Sequence, residues 1–433
     1  MARCVRSREN WFLLTAFSVG GTEILTLAVM MEQLKLDNSG VMSAMVYICS
    51  LIGVALMGLF GSTLLRALTG RSIGIGSGMG CAALCIIAIN AGGIWAGLLL
   101  TGLISFLGAL SSPNITSTLS QLLGADRARG MARYQSFSVA IAVGSPMIGA
   151  VMISLGLTSW ALVLASVMHL VAVAPWLRIT PPLHLQKAES TSFWRNASIG
   201  YQCIFSIRAL ALMTASRLLN NVLYVGLPVC LPLIIGAMRL TATEAAWTQA
   251  SGISALRLGA LCSGIVLALA LSKKAVLARF LPMQAVACGL VAVAMLCVAR
   301  DPMIVIAACG AAGLGQFAFR LSGTTFGPAV TPPHQLAHVI LAGDTIVRFF
   351  SAAYGTTLVS IVAVTGQPAL TLLCMGILTL PAPWLMRPAI RAYNQTMENP
   401  PISPDDPARP TLAARSDHSH PQRSKHSHDQ RDA

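Results

Sequence analysis

Charge is scarce in this sequence. Only 10% of its 433 residues are Asp, Glu, Lys or Arg, against about 25% in soluble domains, and that shortage excludes a water-soluble globule. Acids are the rarer sign, 15 against 29 Lys and Arg. Outside the C-terminal tail there is no paired-Asp, HxxxxD or His-metal constellation, so a membrane-embedded enzyme lacks the clustered groups it would need. The 11 cysteines are odd in number, lie mostly in apolar stretches and include no CxxC pair. They read as small core residues, and neither a metal site nor a cofactor is expected.

Apolar length is what abounds. Apolar residues make up 55% of the chain and its mean hydropathy is +0.71. Windows of the about 17 to 25 apolar residues that cross a bilayer recur near residues 11–31, 41–61, 73–89, 94–118, 134–155, 160–177, 209–235, 245–271, 281–298, 303–330, 337–364 and 369–385. These predict an all-α membrane protein of twelve transmembrane helices, with the bilayer as a partner. The first window follows a basic start but lacks a small-x-small cleavage site, and reads as an uncleaved helix.

With the amino terminus inside, fifteen Lys and Arg before the tail fall on the cytoplasmic side and only Lys35, Arg239 and Arg300 outside. The positive-inside rule then explains much of the net +14 without a nucleic-acid partner and places both termini in the cytoplasm. Two six-helix halves are expected, residues 1–177 and 209–385, joined by a polar cytoplasmic loop, 178–208, that contains Pro181-Pro182. GLISFLGALS (102–111) and GLGQFAFRLS (313–322) share Gly, Leu, Phe, Leu and Ser at equivalent places in the two halves. That is the mark of pseudo-symmetric bundles around a central, alternately accessible cavity. Residues 386–433 read as a disordered cytoplasmic tail; its His418, His420, His426 and His428 form HxH clusters that suit imidazole–metal binding, or simply a solvated tail.

Three segments then resemble the major facilitator superfamily, within it the branch of the enterobactin exporter and macrolide efflux proteins. They are SSPNITSTLSQLLGADRARGMARYQSFSVAIAVGSPMIGA (111–150), FWRNASIGYQCIFSIRALALMTASRLLNNVLYVGLPVCLPLII (193–235) and GLGQFAFRLSGTTFGPAVTPP (313–333). The resemblance covers about residues 11–385 and implies the major facilitator fold in a bacterial inner membrane. GSTLLRALTGRS (61–72) keeps Gly61, Arg66, Gly70 and Arg71 of the family's motif between helices two and three but has Leu65 in place of the expected Asp. Gly144, Pro146 and Gly149 are similar to the fifth-helix element of the antiporter branch, which implies outward transport; a purely packing role for the kink is the other reading.

Two acids, Glu23 and Asp344, and four arginines, Arg217, Arg257, Arg320 and Arg348, lie inside the predicted spans. A charge at bilayer depth costs at least about 2.5 kcal/mol and calls for a reason. Asp344 and Arg348 are spaced for a local pair, and Arg320 lies near enough to a span end to snorkel. Arg217 and Arg257 have no acid on their own helix. They are expected, with Arg320 and Arg348, to form a positive wall for an anionic substrate, with Asn220 and Asn221 as hydrogen-bonding or packing groups. Glu23 is the first candidate for proton coupling, with Asp344 and His169 after it; a Glu23 hydrogen-bonded to Thr22 or Thr26, and a structural His169, are the bland alternatives.

The resulting expectation is a monomeric secondary transporter. It exports a small, hydrophilic, anionic or oxygen-rich product such as a siderophore by proton antiport, with a multidrug or antibiotic efflux pump as the alternative.

Overall fold

The computed structural model describes residues 11–36, 40–91, 93–123, 127–178, 193–273, 279–331 and 336–398. Six long helices form the first half: α1 (Phe17–Leu36), entered by one 3-10 turn, Leu13–Ala16, then α2 (Val41–Ala67), α3 (Gly70–Asn90), α4 (Ile94–Leu123), α5 (Arg127–Ser154) and α6 (Thr158–Arg178). A 14-residue helix, α7 (Phe193–Ser206), precedes the second half. That half comprises α8 (Arg208–Ala237), α9 (Ala242–Lys273), α10 (Leu281–Cys297), α11 (Pro302–Val330), α12 (Leu336–Thr365) and a final crossing in three pieces, α13 (Pro368–Ile377), α14 (Ala382–Leu385) and α15 (Arg387–Glu398).

Eleven helical stretches are long and apolar enough to cross a membrane, and Leu281–Cys297 is a shorter apolar helix of 17 residues. The fold is therefore the expected all-α membrane architecture, and eleven of the twelve windows coincide with a single helix. The twelfth does not. Pro381, Pro383 and Pro388 remove backbone donors within eight residues, so the i to i−4 ladder cannot run unbroken.

Two further differences have physical reasons. The segment between the halves carries α7, whose Cys203 and Ile204 are buried in the main apolar cluster of the second half. Beyond Leu385, where no structure was expected, Met386 is buried ahead of α15, which buries Ala389 and sets Tyr393 edge-on against Phe326 with ring centroids 5.5 Å apart. Residues 179–192 of the expected loop and 399–433 of the tail, with its histidines, lie outside the described residues.

Two acids at helix starts act as caps. Thr241 and Glu244 form a reciprocal capping box at the start of α9: Thr241 N donates to Glu244 Oε2 at 3.0 Å and Glu244 N donates to Thr241 Oγ1 at 3.3 Å. Asp301 accepts from Met303 N at 2.8 Å ahead of Pro302.

The two halves repeat one packing device. In the first, a Cβ added to Gly53 of α2 would lie 3.0 Å from the Gly102 carbonyl carbon on α4; in the second, a Cβ on Gly313 of α11 would lie 2.9 Å from Ala260 N and 3.0 Å from Gly259 Cα on α9. Gly102 and Gly313 open the two matching ten-residue segments, so the internal repeat has a structural cause: backbone must touch backbone at this crossing. Gly313→Ala is expected to destabilise by about 1–3 kcal/mol through overpacking, whereas Gly108→Ala, with nothing within 4 Å of its added Cβ, is expected to be silent. Tryptophan-monitored thermal unfolding in detergent distinguishes them.

Short connections, 91–93, 155–157, 298–301 and 366–367, join helices at the end of the molecule away from Trp11. Several need a left-handed residue: Gly93, Gly156 and Gly366 have positive φ, as does Gly40 at +75°. A Cβ on Gly40 would also press on the Pro232 carbonyl of the second half. The halves meet there and along two helix pairs, α5 with α9 and α2 with α12. Ser254 Oγ donates to Val143 O at 2.8 Å, and Ser251 Oγ lies 3.7 Å from Met147 Sδ.

Candidate functional site

On the Trp11 side of these contacts lies a cavity of about 1130 Å³ between the halves. The first half supplies Thr15, Ser18, Thr22 and Glu23 from α1, together with small and hydroxyl residues of α2, α3 and α4 and His169 and Trp176 of α6. The second half supplies Arg257, Asp344, Thr345 and Arg348. Polarity along α1 explains where the cavity stops. Up to Glu23 the helix turns hydroxyls into it; from Ile24 to Met31 every residue is buried.

At that ceiling the halves exchange charge. Arg257 Nη2 donates to Glu23 Oε1 at 2.7 Å, with the two side chains 33% and 13% exposed. Glu23 is thus held neither by Thr22 nor by Thr26, whose hydroxyls donate to Ser18 O and Thr22 O. Tyr47 of α2 lies within electrostatic reach of both charges.

Asp344 also pairs away from its own helix. Arg217 Nη2 of α8 donates to its Oδ1 at 2.5 Å, in place of the local contact with Arg348 that their spacing favours. Gly343 makes room, since an added Cβ there would lie 3.2 Å from Arg217 Nη1, and Gly323 flanks the same guanidinium at ordinary contact distance. This ion pair is more exposed, Asp344 at 56%, so it contributes less than the one at the ceiling. Arg217 and Arg257, expected to have no acid on their own helices, are each paired by a carboxylate from another helix. Among the described residues Arg348 forms no ion pair within 4.0 Å, and it faces the cavity one turn from Asp344.

The other expected residues divide. His169 is 1% exposed and lines the cavity, seated against Gly21, where a Cβ would come within 2.8 Å of its Cδ2 and Nε2; neither ring nitrogen has a hydrogen-bond partner among the described residues. Asn220, Asn221 and Arg320 are not among the lining residues. Asn221 Nδ2 donates to Ser351 Oγ at 2.6 Å, Asn220 is 2% exposed, and Arg320 sits close enough to feel Arg257, Arg348 and Asp344.

Gly149 and Pro146 lie where α5 crosses α1, an added Cβ on Gly149 meeting Leu27 at 3.3 Å, while Gly144 faces open space. Gly61 and Arg66 fall in the last turns of α2. Gly70 packs on Asn114, which donates to its carbonyl at 2.7 Å, and Arg71 reaches Leu177 O at 3.3 Å. Sequence reasoning missed the hydroxyl wall itself. Its signal was present in Thr15, Ser18 and Thr22, spaced three and four apart on one helical face.

The family model described as Major Facilitator Superfamily matches residues 11–356. The chain belongs to the major facilitator superfamily. Solved structures of the same shape include the nucleoside transporter NupG, at 13% identity and a TM-score of 0.68 over 89% of this chain and 99% of that one. Another is the peptide transporter POT in complex with sulfate, at 14% identity and 0.64 over 88% and 95%. A third is a bacterial homolog of the human lysosomal transporter Spinster, inward-facing and unoccupied, at 12% identity and 0.62 over 90% and 98%. At such identities the likeness shows the fold alone. A search of curated protein sequences finds no match. As a major facilitator protein the chain is a membrane transporter, a class whose members bind small molecules and are not in general enzymes.

Proposed function

We propose that this transporter exports a small anionic or oxygen-rich molecule in exchange for protons, by alternating access. A siderophore is one product of that chemistry, in keeping with the resemblance to the enterobactin exporter branch. The observation that carries the reading is the charge arrangement at the cavity: an ion pair between halves, Glu23 with Arg257, at its ceiling and an arginine, Arg348, on its wall. A guanidinium holds its charge at any working pH and grips a carboxylate through two parallel bonds.

Coupling follows from the same pair. When the halves part at the ceiling, Glu23 loses its cation and opens to the far side of the membrane, where it exchanges its pairing with Arg257 for a proton. Re-forming the pair releases it. Asp344, more exposed and held by Arg217, is a second carrier, and His169 a third. The resemblance of the Pro146 element to that of the antiporter branch supports the outward direction, and its missing donor leaves Ala142 O without the usual i+4 partner, a natural bending point.

The apolar part of the lining, with Met57, Ile104, Ile115 and Trp176, favours a second reading, an efflux pump for lipophilic drugs or antibiotics. Metabolite profiling of spent medium from a deletion strain, under iron limitation and iron sufficiency, separates the two. Loss of an acidic product from the medium with its accumulation inside the cells is the expected result. An unchanged profile combined with efflux of cationic dyes by cells expressing the protein would sink the anion reading.

A further inference from the structure

Three hydroxyls on the first-half wall of the cavity share a one-sided hydrogen-bonding character. Ser18 Oγ lies 2.8 Å from Thr15 O, Thr22 Oγ1 3.0 Å from Ser18 O, and Ser111 Oγ 3.1 Å from Gly108 O. A carbonyl oxygen only accepts, so in each contact the hydroxyl is the donor, and its single hydrogen is committed to its own helix. Oxygen lone pairs are what these groups have left to offer a ligand. From the second half Arg348 offers the opposite character, donors only, one turn from Asp344, whose carboxylate is held by Arg217.

We propose that the ligand is bipolar: an organic anion whose charged end sits at Arg348 and whose other end carries hydroxyl, amide or ammonium donors that face Ser18, Thr22 and Ser111. This rests on the anion reading above and adds a second requirement to it. A plain fatty carboxylate meets the first and wastes the hydroxyl wall. A neutral polyol meets the second and leaves Arg348 without its anion. Polyhydroxy acids and amino acids meet both.

A matched six-carbon series tests this on the purified full chain in detergent, read as the rise in thermal midpoint with concentration of gluconate, hexanoate or glucitol. Two extra hydrogen bonds correspond to about tenfold in affinity, so gluconate is expected to half-saturate at about one tenth of the hexanoate concentration, with glucitol weaker than gluconate. The double variant Ser18→Ala/Thr22→Val is expected to erase the gluconate advantage while leaving hexanoate unchanged. Ser111→Ala, on another helix, is expected to reduce it on its own and guards against a folding defect in the first variant. Equal affinity for gluconate and hexanoate would overturn the inference and leave the anion reading standing. Glucitol binding as tightly as gluconate would overturn the anion reading, and the bipolar ligand with it. No shift with any of the three at millimolar concentration would overturn both.

Discussion

Glu23→Gln is expected to loosen the end of the molecule at Gly40 and to abolish proton-driven flux. The substitution keeps the volume and removes the charge, so Arg257 is left at the ceiling of the cavity with a neutral partner. A hydrogen bond to a charged group contributes about 1.5–3 kcal/mol, which corresponds to a shift of roughly tenfold to a hundredfold in the ratio of closed to open conformers. Spin labels on Leu36→Cys and Ala242→Cys, both exposed and on opposite halves at that end, read the change as a longer distance distribution in a background without other cysteines. Arg257→Gln is expected to act in the same direction. The double variant is expected to be no more open than either single one, because the interaction can be lost only once. An unchanged distance distribution in Glu23→Gln would show that the ion pair does not hold this end shut, and unchanged flux would remove Glu23 from the coupling.

Arg348→Gln is expected to remove anion binding while leaving the fold and the ceiling intact. Arg348 lies more than one turn beyond Gly343, which makes room for Arg217, and it forms no ion pair among the described residues, so its loss strands no carboxylate. A charge-assisted contact of about 1.5–3 kcal/mol predicts affinity for gluconate roughly tenfold to a hundredfold weaker, measured by the thermal-midpoint titration. Arg348→Lys keeps the charge and loses the planar fork, so an intermediate loss is expected. Full gluconate affinity in Arg348→Gln would contradict the assigned role, and a lowered midpoint without ligand would show a structural one.

Much of this was legible in the sequence because the bilayer imposes a coarse rule. Eleven windows of apolar residues found their helices, and one short repeat located the Gly102 and Gly313 crossings. The last window failed because hydropathy does not register where three prolines interrupt a ladder. α7 and α15 were missed for the opposite reason: both are amphipathic, and a search for uniformly apolar spans passes over helices that bury one face.

The site was legible only in its ingredients. Glu23, Asp344, Arg257 and Arg348 were found by asking which charges lie at bilayer depth. Their partners were not, because local spacing points Asp344 to Arg348, whereas tertiary packing delivers Arg217 past Gly343. Glu23 and Arg257 are 234 residues apart, and no periodicity links them. The hydroxyl wall needed the direction of each hydrogen, which comes from which carbonyl stands nearest.

The short connections away from Trp11 have a mechanical consequence. Helices tied by two to four residues, several with a backbone that glycine alone adopts easily, cannot slide past one another by a full turn of 5.4 Å. Helices tied in this way move as pairs, so relative motion of the two halves falls to the seams that α2 forms with α12 and α5 with α9.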